Sequence, residues 1–355
     1  MGPHPAVAAT RTALAAALAD QPPAAPLVIA CSGGADSTAL LAAAAFLAER
    51  TVRTVRPVQA VTVDHGLQAG SAQRAQDVAA LARSLGLAAS VATVEVAAGP
   101  GSGGPEAAAR AARYAALDAE LDAAAAGHGA PALLALAHTR DDQAETVLLG
   151  LGRGAGPRSL AGMAPVSVRA HGVYLRPFLG LDRAMLRAAC AALGLPVWDD
   201  PHNADPRYRR VRVRTEALPL LDDVLGGGVP AALARTAALL RDDLAALDAL
   251  AAPLLEAARD GDGLAVAALA PAPRALRTRV LRAWLAERGA PALSGVHLDA
   301  ADALVAAWRG QRGADLPGGF ALVRASGRLV LHDPAHSRAT TGERPAPHRA
   351  APSEE

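Results

Sequence analysis

The sequence predicts an α/β protein: a parallel-sheet domain, then a smaller, mostly helical domain that ends in a β element. Three observations carry that prediction. Apolar runs alternate with helix-like stretches through the first two thirds of the chain. Polar motifs sit where those runs end, at Ser32-Gly33-Gly34, Asp64-His65-Gly66 and His138. Beyond Thr215 the alternation gives way to long Ala/Leu-rich stretches. Strands alternating with helices imply a parallel sheet buried on both faces, and such sheets bind ligands at the carboxyl ends of their strands.

Taken in order, residues 1–25 read as a short helix and a Pro-rich lead-in (Pro22, Pro23, Pro26). Leu27 to Cys31 form the first strand, followed by a tight Gly turn and a helical stretch from Thr38 to Arg50; strand, turn and helix open a parallel unit. Val58 to Val63 is the second strand and is followed by a helix over 71–85. Ser90 to Val96 is the third; a loop from Gly99 to Pro105 leads to a helix over Glu106 to Ala126. Leu133 to Ala137 is the fourth, with a helix starting near Asp141. Residues 230–258 and 274–289 read as helices, punctuated by Gly226-Gly227-Gly228 and Gly261-Asp262-Gly263. Gly319 to Leu331 is a small β element turning at Ser326-Gly327, and the polar chain from about Ala335 reads as disordered. The expected domains are a lead-in (1–25), a catalytic domain (26–215), a helical domain with the β element (216–334) and a tail (335–355).

The chain of 355 residues is long enough to bury a core without staples. Cys31 and Cys190 lie far apart, with no C-x-x-C pairing, which argues against a disulfide framework or a structural zinc site. No basic-then-apolar leader opens the chain, and no stretch reaches the roughly 18 uncharged apolar residues of a membrane span. A cytoplasmic protein without a membrane partner is expected. The net charge of +1 conceals a bias: none of the 35 basic residues is lysine. A Walker A loop, a protein kinase and a pyridoxal Schiff base each need one, so those three classes are excluded.

The first chemistry lies in Ser32, Gly33, Gly34, Ala35, Asp36 and Ser37, followed by Thr38. Two glycines permit positive φ and a close approach of backbone to an anion. Ser37 and Thr38 place hydroxyls and free N–H groups at a helix N-terminus, where the dipole favours phosphate. Asp36 repels phosphate directly; its use is to hold Mg²⁺ that bridges the phosphates of ATP. S-G-G-x-D-S after a first strand resembles the loop of the N-type ATP pyrophosphatases, the PP-loop group. In that group an oxygen attacks the α-phosphate, pyrophosphate leaves, and a nitrogen or sulfur nucleophile attacks the adenylated carbon.

The second constellation is His138-Thr139-Arg140-Asp141-Asp142-Gln143-Ala144-Glu145-Thr146, continuing to Arg153-Gly154-Ala155-Gly156. Asp141 and Glu145 are spaced i,i+4, which puts both carboxylates on one helix face. H-x-x-D-D-Q-x-E-T-x-L-L with R-G-x-G closely resembles the tRNA(Ile)-lysidine synthetases. Val63-Asp64-His65-Gly66-Leu67, Glu106 with Arg110, Arg113 and Tyr114, Arg176-Pro177-Phe178-Leu179, and Trp198 through Asp205 match in order, so the resemblance spans about residues 27–221.

A third feature is the arginine strip Arg207, Arg209, Arg210, Arg212 and Arg214, with no acid between Asp205 and Glu216. So much positive charge grips phosphates or stacks on bases, and it is read as tRNA contact. Family members with R-N-x-x-R carry an Asn where this chain has Val211, so no role of that Asn transfers.

The resemblance implies ATP-dependent ligation of free L-lysine to C2 of the wobble cytidine in isoleucine tRNA with a CAU anticodon. The cytosine C2 oxygen attacks the α-phosphate of ATP, and lysine then displaces AMP. It implies Arg110, Arg113 and His138 at the α-phosphate, and Asp141, Asp142 and Glu145 to hold lysine's cationic groups or take a proton from its amine. It also allows a homodimer, and the chain reads as too short for the further C-terminal domain of some members. A sulfur-inserting tRNA enzyme on the same loop is the nearest rival, but it would need catalytic or cluster cysteines, whereas Cys31 and Cys190 read as core residues. A non-catalytic nucleotide- or RNA-binding module is the rival of another class, and the retained acids and His138 count against it.

Overall fold

The computed structural model describes residues 2–50, 56–66, 68, 70–95, 105–154 and 156–333. Of the expected loop from Gly99 to Pro105, residues 99–104 lie outside them, as does the tail from Ala335. Two compact units emerge: Met1–Gly154 with Ser159–Leu239, and Ala155–Arg158 with Leu240–Glu355.

The first unit begins α1 (Pro5–Ala19), β1 (Leu27–Ala30), α2 (Ala35–Arg50), β2 (Val58–Asp64), α3 (Ser71–Ser84), β3 (Ala88–Thr93), α4 (Pro105–His128), β4 (Leu133–Ala135) and α5 (Arg140–Leu151). A turn of helix, α6 (Pro157–Leu160), precedes the hairpin β5 (Val166–Arg169) and β6 (Gly172–Leu175). Then come α7 (Arg183–Ala192), α8 (Arg209–Arg212), α9 (Leu218–Val224) and α10 (Val229–Ala258). The sheet runs β3-β2-β1-β4-β6-β5, parallel throughout except for β5. Along β1, Leu27 and Ile29 join one core while Val28 joins another, the two-residue alternation of a strand buried on both faces. The first core takes Leu14 of α1, Leu40 and Leu41 of α2 and Leu186 of α7; the second takes Leu117 and Leu121 of α4. Because β1 lies between β2 and β4, the chain direction across the sheet reverses there. The segments that follow β1 and β4 therefore open into one crevice.

Three expectations change. The lead-in is no appendage: Leu14 is fully buried in the sheet core. The β5–β6 hairpin was not expected; its strands have four residues each, too short to announce themselves by periodicity. The two compact units divide at Leu239, inside α10, beyond the domain boundary expected at Thr215, and Leu218 and Val229 pack with Ala144 of α5.

The second unit adds β7 (Arg259–Asp260), β8 (Gly263–Ala265), α11 (Val266–Leu269), α12 (Arg274–Glu287), α13 (Gly295–Ala306), β9 (Ala314–Asp315), β10 (Ala321–Ala325) and β11 (Arg328–His332). The anticipated β element is present but larger, an antiparallel sheet in the order β7-β8-β11-β10-β9. The turn at Ser326-Gly327 has positive φ at both residues (49° and 78°), the geometry that suits a tight hairpin's twist. Gly261 and Asp262, read as punctuation between helices, turn β7 into β8. Trp284, Leu281, Leu304 and Leu322 form the core, with the Arg277–Asp302 ion pair buried beside it. Among the described residues no single helix is long and apolar enough to cross a membrane.

Candidate active site

The loop after β1 is shaped by a few specific contacts. Gly33 has φ +84°, and a Cβ there would lie 2.8 Å from Cγ2 of Val78. Gly34 has no positive φ, so only one of the two glycines is required by backbone conformation. The Thr38 amide donates to the Gly34 carbonyl at 2.9 Å, so the helix is already closed at Thr38. The amides of Ala35, Asp36 and Ser37 in the first turn have no intrahelical acceptor and remain for an anion. Of the two hydroxyls expected to face an anion, Ser37 Oγ is engaged within the loop itself and Thr38 Oγ1 is buried with no hydrogen-bond partner. Ser37 Oγ accepts from the Ser32 amide at 3.1 Å and donates to the Gly34 carbonyl at 3.0 Å. Thr38 is fully buried. The Trp198 amide donates to the Gly33 carbonyl at 2.9 Å, and the Arg74 guanidinium lies 4.4 Å from the Trp198 ring. This fastens the Trp198 segment over the loop.

The second constellation starts with a capping box at α5. Thr139 Oγ1 accepts from the Asp142 amide at 3.2 Å, and Asp142 Oδ2 accepts from the Thr139 amide at 2.8 Å. Asp141 and Glu145 do not act as one face. Asp141 accepts from the Arg183 amide at 3.0 Å, whereas Glu145 is fully buried beneath three guanidinium groups. Arg183, Arg210 and Arg214 reach the Glu145 carboxylate at 3.0, 3.0 and 2.7 Å. Glu145, expected as a lysine anchor or base, has its carboxylate paired with these three arginines.

Arg183 is the functional-site residue that the sequence reading missed. Its guanidinium meets Asp142 at 2.5 Å, Glu145 at 3.0 Å and Asp36 at 3.6 Å, joining the loop after β1 to the helix after β4. A signal existed. Arg183 opens a helix capped by Asp182, and a cation in a first turn opposes the helix dipole, so another interaction must hold it there.

Electrostatics follow from this packing. Burial pushes Asp36 up to about 6; the charges of Asp142 and Asp141 add to this and Arg183 opposes it. Burial alone would raise Asp142 as well, but Arg183 and the Thr139 amide outweigh it and hold that carboxyl below its usual range. Burial pushes His138 down to about 3, helped by Arg176, Arg110 and Arg113. The imidazole is therefore neutral at pH 7, and its Nδ1 is buried without a hydrogen-bond partner. As a neutral imidazole, His138 can offer a hydrogen bond but no charge.

These groups open on a cavity of about 560 Å³. Six arginines line it (Arg110, Arg113, Arg183, Arg187, Arg210, Arg214) against three aspartates (Asp36, Asp142, Asp199). A contiguous cavity of about 320 Å³ shares Ser32, Gly34, His138 and Trp198 and is walled by apolar Val61, Val63, Leu117 and Leu136. A cationic chamber joined to one with an apolar wall suits a nucleotide's phosphates and base respectively.

The arginine strip divides. Pro219 removes the N–H that would satisfy the Thr215 carbonyl, and the helix widens into a π turn over Val213–Ala217. Arg210 and Arg214 then face Glu145, while Arg207 and Arg212 are exposed and pair with Asp205 and Glu216, the acids that flank the strip. Arg209 lies on the same short helix as Arg210 and Arg212. Both cysteines are buried, and burial raises both thiols, Cys190 to about 11; neither is a thiolate at pH 7.

Comparison with known proteins shows the family. A family model described as "PP-loop domain" matches residues 8–221, and another, "TilS substrate binding domain", matches residues 264–330. A tRNA(Ile)-lysidine synthase of Salinispora tropica is 54% identical over 334 residues, 93% of this chain and 97% of that protein. Its counterparts in Streptomyces coelicolor and Thermobifida fusca are 53% and 52% identical, each over 93% of this chain and 99% and 98% of their own lengths. The chain belongs to the tRNA(Ile)-lysidine synthase family. Membership brings use of ATP with it, and the Ser32–Ser37 loop and the His138–Thr146 segment fall within the matched PP-loop region. The TilS substrate binding domain match covers β8 through most of β11, in the second unit.

Proposed function

We propose that this protein ligates L-lysine to C2 of the wobble cytidine in CAU-anticodon isoleucine tRNA, cleaving ATP to AMP and pyrophosphate. One observation carries the reading. The phosphate loop after β1 and the His138–Glu145 segment after β4 meet at one cavity with a surplus of arginine, where ATP and a nucleobase have to be brought together. Relatives with this name share over half of the sequence across nearly the whole chain.

In the reaction, the C2 oxygen attacks the α-phosphate, pyrophosphate leaves, and the lysine amine then attacks C2 and expels AMP with the oxygen. The amides of residues 35–37 cradle the phosphates. Arg110 and Arg113 meet the charge that develops at the α-phosphate, and neutral His138 donates a hydrogen bond to it. Asp36 would hold Mg²⁺, and its surroundings fit: a desolvated carboxylate near two other acids gains from a cation. Mg²⁺ takes one or two carboxylates along with substrate phosphates, and held there it would neutralise charge on the phosphates. Glu145 positions Arg183, Arg210 and Arg214, leaving Asp141 and Asp142 as the carboxylates to take the amine proton or bind lysine's ammonium. Exposed Arg207, Arg209 and Arg212 and the second unit contact the tRNA.

Pyrophosphate release, assayed with each tRNA in the presence and absence of lysine, tests the reading. It is expected with the CAU-anticodon isoleucine tRNA, together with AMP and lysine-bearing tRNA. No release with that tRNA, or release independent of tRNA, overturns it. Asp36→Ala should abolish adenylation yet leave tRNA binding intact by gel shift; lost tRNA binding would place Asp36 in a structural role.

A further inference from the structure

Four arginines stand apart from the paired set around Glu145. Arg110 and Arg113 on α4, Arg169 on β5 and Arg176 just after β6 surround the stacked pair Tyr114 and Tyr174, whose rings are 6.1 Å apart. Arg169 lies 4.5 Å from the Tyr174 ring and 5.5 Å from Tyr114; Arg110 and Arg113 lie 5.0 and 5.7 Å from Tyr114. Among the described residues none of the four makes an ion pair, whereas Arg183, Arg210 and Arg214 all do. The local acid, Asp118, is hydrogen-bonded by the Tyr174 hydroxyl. Arg176 is the most buried of them: only 6% exposed, it spends Nη1 on the Ala164 carbonyl and Ser167 Oγ, and the side chain beside it is the neutral phenol of Tyr114 and not a carboxylate.

A desolvated guanidinium without a counter-charge is costly, and like charges gathered beside it add to the cost. An anion arriving from outside relieves both. We propose that these arginines form a second phosphate site, distinct from the Ser32–Ser37 loop, that takes a backbone phosphate of the RNA beside the target nucleotide. Arg169 makes the outer contact, Arg110 and Arg113, which also face the α-phosphate, close its inner end at the cavity wall, and Arg176 backs them from within. The direction of the shelf favours RNA over the nucleotide's own phosphates. It starts at the cavity wall with Arg110 and Arg113 and ends at exposed Arg169 on the edge strand. A mononucleotide ends inside the cavity, whereas a single strand continues out of it, and arginine planes over tyrosines also offer its unstacked bases a surface. The inference rests on the proposed RNA substrate.

Arg169→Ala separates the possibilities, because this side chain is exposed and its loss spares the core. Binding of labelled CAU-anticodon isoleucine tRNA to the full chain is measured by fluorescence anisotropy from 50 to 200 mM salt, and ATP binding without RNA by calorimetry. Losing one phosphate contact should reduce the slope of log K against log salt by about 0.7–1. Affinity for tRNA should fall several-fold, Arg169→Glu should lower it further, and ATP affinity should stay at the wild-type value. An unchanged slope in both variants overturns the proposal. So does weaker ATP or pyrophosphate binding with unchanged tRNA binding, which would give the site to the nucleotide. If the wild-type protein itself fails to bind this tRNA, the functional reading falls instead.

Discussion

Arg183 and His138 show how a residue's neighbours decide its chemistry. Arg183 is the shared counter-charge of Asp36, Asp142 and Glu145, so Arg183→Ala leaves three carboxylates crowded in a poorly solvated site. Removing one partner of a buried pair costs about 3 kcal/mol or more; we expect a lower melting temperature and loss of pyrophosphate release. Arg183→Lys should recover the stability in part but little of the activity, since a point charge cannot fork to three acceptors. His138 is pushed down to about 3 from an ordinary 6.5. The unfolded chain therefore binds a proton between those values that the folded chain does not. Stability from this group is fully present above pH 6.5 and is lost as pH falls toward 3. Asp36, raised to about 6, acts oppositely, favouring the fold as pH falls from about 6 to 3.8. The comparison must therefore isolate His138: the melting temperature of His138→Asn relative to wild type should rise as pH is lowered from 7 to 4. A constant difference would show that His138 titrates normally.

At the level of elements, the loop after β1 is held by what packs behind it. Gly33 is pinned by its left-handed φ, by Val78 and by the bond from the Trp198 amide. Forcing an L-residue into that conformation costs about 1–2 kcal/mol before the contact with Val78 is counted. Gly33→Ala should lower the melting temperature and raise KM for ATP about tenfold or more. Gly34→Ala, with no atom closer than 3.8 Å and no positive φ, should leave the melting temperature near wild type. Equal thermal losses in both variants would contradict this account of the loop. The short β5–β6 hairpin and the π turn show the same dependence on surroundings, since neither has enough periodic residues to declare itself.

At the scale of the molecule, each unit has its own core and should respond separately. Arg277 and Asp302 form a two-pronged buried pair at 2.7 and 2.9 Å in the second unit. Asp302→Ala strands the guanidinium and should cost about 3 kcal/mol. Its thermal effect should exceed that of Asp299→Ala, whose partner Arg274 is exposed. ATP binding to the first unit, measured by calorimetry, should be unchanged at temperatures where the protein is folded.

The sequence by itself determined the parallel α/β domain, the strand-end positions of the loop at Ser32 and of His138, and the family. These are local properties: a strand's apolar run and a glycine turn reveal themselves within a few neighbours. It also placed Cys31 and Cys190 in the core, where the structure finds them. Only the tertiary structure decided the roles within the acid and arginine sets. Asp141 and Glu145 share a helix spacing yet diverge, because α7 brings Arg183 to one by its amide and to the other by its side chain. Arg210 and Arg214 turn inward while Arg207 and Arg212 pair outward, because a π turn and the flanking acids sort them. Which charge meets which depends on elements about 40–70 residues apart along the chain, and no local pattern encodes that.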